Sequence, residues 1–149
     1  MGQSLSQIYV HLIFGTKNRH PFITEEIEPS LRKYITGILK NLDSPVIKIN
    51  SMPDHIHILF RFSKKYTLIK IIEEVKKYSS KWMKSNGING FTWQIGYGAF
   101  SVSSSKIDIV TSYIINQKEH HKNVSFQNEI ENFMKEYQIS EYDSEYFWV

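Results

Sequence analysis

Cysteine is absent from the 149 residues, which excludes disulfide frameworks, thiolate zinc sites and cysteine nucleophiles. Any metal must therefore be held by histidine, carboxylate, amide or water. No apolar run approaches the ~18 to 20 residues needed to cross a bilayer, and the first residues lack the basic and apolar regions of a signal peptide. The expectation is a cytoplasmic protein with no membrane partner. No internal repeat, long linker or low-complexity tract interrupts the chain. With 41% apolar and 14% aromatic residues there is material for a core, and residues 1–149 are expected to form a single α+β domain.

The net charge of +3 conceals an asymmetry. Residues 129–149 carry six acids (Glu129, Glu131, Glu136, Glu141, Asp143, Glu145) and one base, Lys135, while residues 1–128 carry 17 bases against nine acids. A body of +8 suits a polyanion such as nucleic acid, and the acidic, aromatic tail is expected to shield that surface or dock elsewhere on the protein. A plainly solvated surface is the other reading of the same charges.

Hydrophobic patterning supplies the order of elements. Gln7 to Thr16 is rich in β-formers and reads as a buried strand. Thr24 is positioned to cap a helix running to about Asn41, with Ile27, Leu31, Tyr34, Ile35, Ile38 and Leu42 recurring at three and four residues. A second strand after Pro45 and a third from His55 are joined so tightly by Pro53-Asp54 that they should form an antiparallel hairpin. Thr67 is placed to cap a second helix with an apolar stripe at Leu68, Ile71, Ile72, Val75, Tyr78 and Trp82. Residues 91–103 read as a fourth strand with an irregularity at Gly96 and Gly98, and a helix from about Lys106 to His121 follows. A short amphipathic segment spans about Phe126–Tyr137. The predicted fold is a ferredoxin-like, RRM-like β-α-β-β-α-β antiparallel sheet, with helices on one face and a further helix appended.

In Asp54-His55-Ile56-His57-Ile58-Leu59 the two histidines lie two apart on a strand and project from one face. Both imidazoles can reach one divalent ion. They can equally be a pair satisfied by neighbours or solvent. Tyr113 and Gln117, four apart on the helix, are neighbours on one face. A tyrosine hydroxyl attacks phosphate when a divalent cation polarises it, and a glutamine four residues on can turn its amide oxygen to that cation. A half-buried core tyrosine beside a surface glutamine is the alternative. His120 and His121 are adjacent helical positions that diverge by about 100° and should not share an ion. Lys77, Lys81 and Lys84 form a face with Lys70 and Lys76 that suits phosphates or simple solvation.

Taken in order, these motifs resemble those of the single-tyrosine HUH transposases, the TnpA type of the insertion-sequence-200/605 group. Met52-Pro53-Asp54-His55-Ile56-His57-Ile58-Leu59 resembles their His-hydrophobe-His strand, and Tyr113 to His121 their catalytic helix. His11 to Lys17 is similar to their first strand, Trp93 to Ser103 to their fourth, and Tyr142 to Trp148 to their C-terminal end. The resemblance implies a DNA transposase that cuts and rejoins single strands through a 5′-phosphotyrosine link. It implies Tyr113 as nucleophile, and His55, His57 and Gln117 as ligands of Mg²⁺ or Mn²⁺. It further implies a homodimer with active sites shared between subunits, recognising imperfect hairpins in single-stranded DNA. Two other classes fit the bare pattern: a non-catalytic ferredoxin-like nucleic-acid-binding module, including a domesticated transposase, and a histidine-based metal hydrolase that forms no covalent adduct.

Overall fold

The structure, a computed structural model, describes residues 2–149. β1 (Tyr9–Gly15), α1 (Glu28–Asn41), β2 (Val46–Met52), β3 (His55–Arg61), α2 (Leu68–Ser85) and β4 (Gly98–Val102) follow in the predicted order. α3 (Ile107–Ile115), α4 (Gln117–His120), α5 (Phe126–Glu136) and α6 (Ser144–Phe147) complete the chain. The strands form one sheet in the order β2-β3-β1-β4, and every neighbouring pair is antiparallel. This is the ferredoxin-like arrangement.

Local chemistry accounts for most element boundaries. The Thr67 hydroxyl accepts from the Lys70 amide and starts α2. The Thr24 hydroxyl accepts from the Ile27 amide at 3.3 Å, but regular helix begins only at Glu28, with a proline in its first turn. Met52 and His55 pair directly, so Pro53 and Asp54 make the two-residue turn of the β2–β3 hairpin. β4 is shorter than predicted. Of residues 91–103 only Gly98–Val102 are strand, and Trp93 forms an isolated bridge to Thr16.

The section between them is tied down by Lys76, whose ammonium donates to the carbonyls of Gln94, Ile95 and Gly96 at 2.8–2.9 Å. Lys76 therefore does not belong to a solvated lysine face. Lys77, Lys81 and Lys84 do remain exposed on α2.

Alternation along β1 and β3 sorts the two faces of the sheet. Val10, Leu12, Phe14, Ile56, Ile58 and Phe60 point to one side and pack with Leu31, Ile35 and Leu39 of α1 and Ile71, Ile72, Val75 and Met83 of α2. His11, Ile13, His55, His57 and Leu59 point to the other. That second face is also covered, by the helices that follow β4. Ile114 of α3 packs on Leu59 and Val102, and Phe126, Ile130 and Met134 of α5 pack on Ile13 and Phe100. The physical reason is the apolar stripe of α5, which buries Phe126, Ile130 and Met134 against this face. Its consequence is that the histidine pair is buried beneath helices.

Among the described residues no helix is long and apolar enough to cross a membrane.

A candidate metal and nucleophile centre

β3 delivers His55 and His57 to the second face, where both are almost wholly buried. Each imidazole is anchored through Nδ1. His55 Nδ1 lies 2.7 Å from Asp54 Oδ1, and His57 Nδ1 lies 2.9 Å from Nε2 of His11 on the neighbouring strand. The Nε2 atoms consequently point into a common space under α3, α4 and α5. The Phe126 ring stacks flat on His55, with centroids 3.9 Å apart and planes within 3°.

From above, the chain supplies three more groups. α3 ends at Asn116, whose backbone is no longer helical, and Asn50 of β2 donates to the carbonyl of Ile114 at 2.8 Å. That break turns the following residues inward. Gln117 is fully buried, not a surface glutamine, with Oε1 3.3 Å from His55 Nε2. His121, just past α4, has Nδ1 2.6 Å from the Val124 carbonyl and Nε2 3.1 Å from His55 Nε2. The expectation that His120 and His121 diverge assumed an unbroken helix. With α4 ending at His120, both side chains converge on one carboxylate.

The carboxylate is Glu129 of α5, buried to 2% exposure, and it divides its oxygens between two tasks. Oε1 lies 3.1 Å from His57 Nε2, 3.2 Å from His121 Nε2 and 3.5 Å from His55 Nε2. Oε2 accepts from the Tyr113 hydroxyl and from Gln117 Nε2 at 3.0 Å, and lies 3.4 Å from His120 Nε2. The acidic tail thus does dock on the protein, with Glu129 at the centre of the site and Ile130 and Met134 packed beside it on Ile13 and Phe100.

Burial sets the protonation of the cluster. It lowers His57 to about 4, against the opposing pull of Glu129, and lowers His11 to about 3, helped by repulsion from His57. Both imidazoles are neutral at pH 7. Burial also acts on Glu129, raising it, but hydrogen bonds from His121 and His57 outweigh that and hold the carboxyl far below its usual range. Tyr113 is pushed well above an ordinary phenol, by burial first and then by the Glu129 charge. Its hydroxyl is protonated and donates to Glu129. His121 moves the other way. Burial lowers it, but Glu129, the Val124 carbonyl and Asp54 more than compensate.

Tyr113, His55, His57 and Gln117 are therefore brought together, and by one chain, where the resemblance expected Tyr113 to meet the histidines of a partner. Lys77, Lys81 and Lys84 are not brought there, because α2 lies on the opposite face of the sheet. A cleft of about 270 Å³, lined by His11, Val110, Tyr113, His120, Glu129 and Phe133 among others, opens onto the phenol. His55, His57, His121 and Glu129 place one donor atom each within 4.8 Å of one another, a nitrogen-rich set that fits a divalent cation.

Three groups escaped the motif reading. His11 sits in a strand whose alternation already puts it on the face of Ile13, so its side was legible. His121 required the helix break. Glu129 carried a signal of its own, since Phe126, Glu129, Ile130 and Phe133 fall at i, i+3, i+4 and i+7 and place an acid inside an apolar stripe.

A ferredoxin-like sheet carrying a His-hydrophobe-His strand beneath a tyrosine helix defines the class of tyrosine HUH DNA-processing enzymes. The IS200-like transposase family model matches residues 4–117, and the chain belongs to that family. The ISDra2 transposase TnpA of Deinococcus radiodurans is 25% identical over 120 residues, covering 76% of this chain and 86% of the relative. A transposase-like crystal structure from Deinococcus radiodurans R1 superposes with a TM-score of 0.64 at 23% identity, over 78% of this chain and 96% of that one. A REP-associated tyrosine transposase bound to a REP hairpin superposes with a TM-score of 0.61 at 15% identity, over 83% and 76%. The match to the family model ends at Gln117, so Glu129 and α5 lie beyond it.

Proposed function

We propose that this transposase cuts and rejoins single-stranded DNA through a covalent link to Tyr113, using a site assembled within one chain. The observation that carries the reading is the Tyr113 hydroxyl donating to Glu129 Oε2 while Glu129 Oε1 faces His57. The nucleophile, a proton acceptor and the candidate ligands are contiguous.

In the cleavage step Tyr113 Oη forms a bond to the scissile phosphorus as the bond from phosphorus to the 3′-oxygen breaks. The 3′-oxygen leaves with the bonding pair and takes a proton from solvent, so the products are a 5′-phosphotyrosine and a free 3′-hydroxyl, and the reverse attack by a 3′-hydroxyl, which gives up its proton, rejoins the strand and frees Tyr113. Tyr113 must lose its proton as it attacks, and Glu129 Oε2 is already hydrogen-bonded to it. His120 Nε2, 3.3 Å from the phenol oxygen and partly exposed, gives that proton a way to solvent. His55 and His57 would hold the divalent cation, Mg²⁺ or Mn²⁺ in the family pattern, with Gln117 beside them. When bound, that ion neutralises charge on the phosphate and makes a weak nucleophile sufficient. The REP-associated relative is bound to a REP hairpin; DNA hairpins are the proposed recognition element here, and the basic body of the chain suits their phosphates.

The test is a single-stranded oligonucleotide carrying the element-end hairpin, incubated with protein and Mn²⁺. A covalent adduct on the 5′ side of the break is expected, and Tyr113→Phe should bind the hairpin yet form none. An undiminished adduct from Tyr113→Phe would refute the nucleophile, and binding without any adduct from the wild type would leave only a binding module. Mixing Tyr113→Phe with His57→Ala tests the single-chain site. Every site keeps one lesion, so activity should stay absent even where mass spectrometry shows mixed dimers. Recovery to roughly a quarter of wild type would instead mean that subunits share sites.

A further inference from the structure

The proposed chemistry uses Tyr113, Glu129 and His120 and gives the rest of the cleft beside the phenol no task. α3 contributes Ile109 and Val110 to that cleft, and α5 with its C-cap contributes Asn132, Phe133, Glu136 and Tyr137. Its volume of about 270 Å³ falls just under the roughly 300–1,000 Å³ of sites for drug-sized ligands, which suits a single flat ring system. Phe133 and Tyr137 lie nearly parallel to each other and to Phe100, with planes 22°, 18° and 16° apart. Ile109, on the same cleft, is 62% exposed. Aromatic faces and a bare aliphatic side chain are what a nucleobase stacks on. Charge narrows the occupant further. Glu129 and Glu136 both line the cleft, and no lysine or arginine is among its described lining residues. Phosphate is repelled there, and the uncharged base of a nucleotide is the part that fits.

We infer that this cleft binds the nucleobase immediately 3′ of the scissile phosphate and favours a base with an exocyclic amino group, adenine, cytosine or guanine, over thymine. This rests on the reading that Tyr113 is the nucleophile. The attacking and leaving oxygens of a phosphoryl transfer lie roughly in line, so the 3′-oxygen and its nucleotide depart on the side of phosphorus away from Tyr113. The nucleotide on the 3′ side of the break keeps its bond to phosphorus. After the attack it is tethered through that phosphorus to the phenol, beside the cleft, and its base can stay seated from before cleavage until rejoining. Asn132 and Glu136 are four apart on α5 and share a face of the helix. The Glu136 carboxylate only accepts hydrogen bonds, so it pairs with an amino group. Thymine presents its one ring N–H between two carbonyl oxygens, which a carboxylate repels. Asn132 both donates and accepts, and so serves any amino-bearing base.

An abasic site walked one nucleotide at a time along the strand flanking the element-end hairpin tests the cleft apart from cleavage, with full-chain Tyr113→Phe as the binding protein. Affinity should fall about 5- to 150-fold, the range for one stacked base, when the abasic site reaches the position that the cleft holds. Adding Ile109→Ala, at an exposed position that leaves the core intact, should largely remove that fall, as should Phe133→Leu. In the wild type the sensitive position should be the nucleotide that carries the 5′-phosphotyrosine. Thymine at that position should form adduct more slowly than adenine, cytosine or guanine. Glu136→Gln gains an amide that donates to a thymine carbonyl, and it should erase this difference. Absence of a sensitive position, a fall undiminished in folded Ile109→Ala, or a thymine penalty untouched by Glu136→Gln would overturn the inference. A sensitive position that depends on Ile109, in a wild type that forms no adduct, would instead refute the nucleophile reading and leave the cleft as a base-binding site.

Discussion

Replacing Gly15 with alanine adds one methyl group at the end of β1, and the structure says where it goes. The new Cβ would stand 2.6 Å from Phe126 Cε2 and 3.0 Å from the Asp54 carbonyl oxygen. Gly15 does not have a positive φ, so the backbone conformation suits alanine and the whole effect is one of packing. Relief requires the Phe126 ring to retreat by roughly 1 Å, to ordinary carbon–carbon contact. That ring is the first residue of α5 and lies flat on His55, and Glu129 is one turn further along the same helix. Overpacking of this kind costs about 1–3 kcal/mol, which for a chain of this length lowers the melting temperature by about 2–12 °C. Thermal unfolding of Gly15→Ala measures it. Phe126→Leu in the same background should restore part of the loss, so the two changes should be non-additive. An unchanged melting temperature for Gly15→Ala, or strict additivity with Phe126→Leu, would refute the contact and the seating of α5 on the site.

Two other outcomes follow from groups away from the nucleophile. Ser79→Ala leaves the indole N–H of buried Trp93 without its 2.9 Å partner and should cost about 1–3 kcal/mol in denaturant unfolding; a loss below about 0.5 kcal/mol on that same scale would mean the indole finds another acceptor. Neutralising Lys77, Lys81 and Lys84 together should leave adduct formation per bound hairpin unchanged, because these side chains lie across the sheet from Tyr113. If they meet phosphates, the slope of log affinity against log salt should flatten by roughly 0.7 to 0.9 for each phosphate no longer neutralised, and an unchanged slope would assign them to solvated surface.

The sheet, its hairpin and the first two helices were legible because each depends on short-range signals: period-two alternation in β1 and β3, a two-residue turn at Pro53-Asp54, apolar stripes at three and four residues, and a capping threonine at the start of α2. His55 and His57 were legible for the same reason. What short-range patterning does not carry is how far a helix runs when its backbone finds a tertiary partner. Asn50, 64 residues before Ile114 in sequence, meets the end of α3 at the break, and that break is what sends Gln117 and His121 inward. The fourth strand shortened for a comparable reason, since Lys76 gathers the carbonyls of residues 94–96 that a strand would have paired. Glu129 was hidden by composition. Counted among six acids it looked like surface charge, although its place in the stripe of Phe126, Ile130 and Phe133 already set it apart.

β3 carries greasy and catalytic-type side chains on alternate positions, and this ties two kinds of error into one. A slip of a single residue against β1 would exchange the contents of the two faces, pressing Ile56 and Ile58 onto Glu129 and forcing two imidazoles among Leu12, Phe14 and the helices beyond. Such a chain would forfeit its apolar core at the same moment as its chemistry. No misregistered molecule can therefore persist as a stable but inert form. Stability itself inspects the site, and any pressure that keeps the protein folded also keeps its imidazoles on the right side of the sheet.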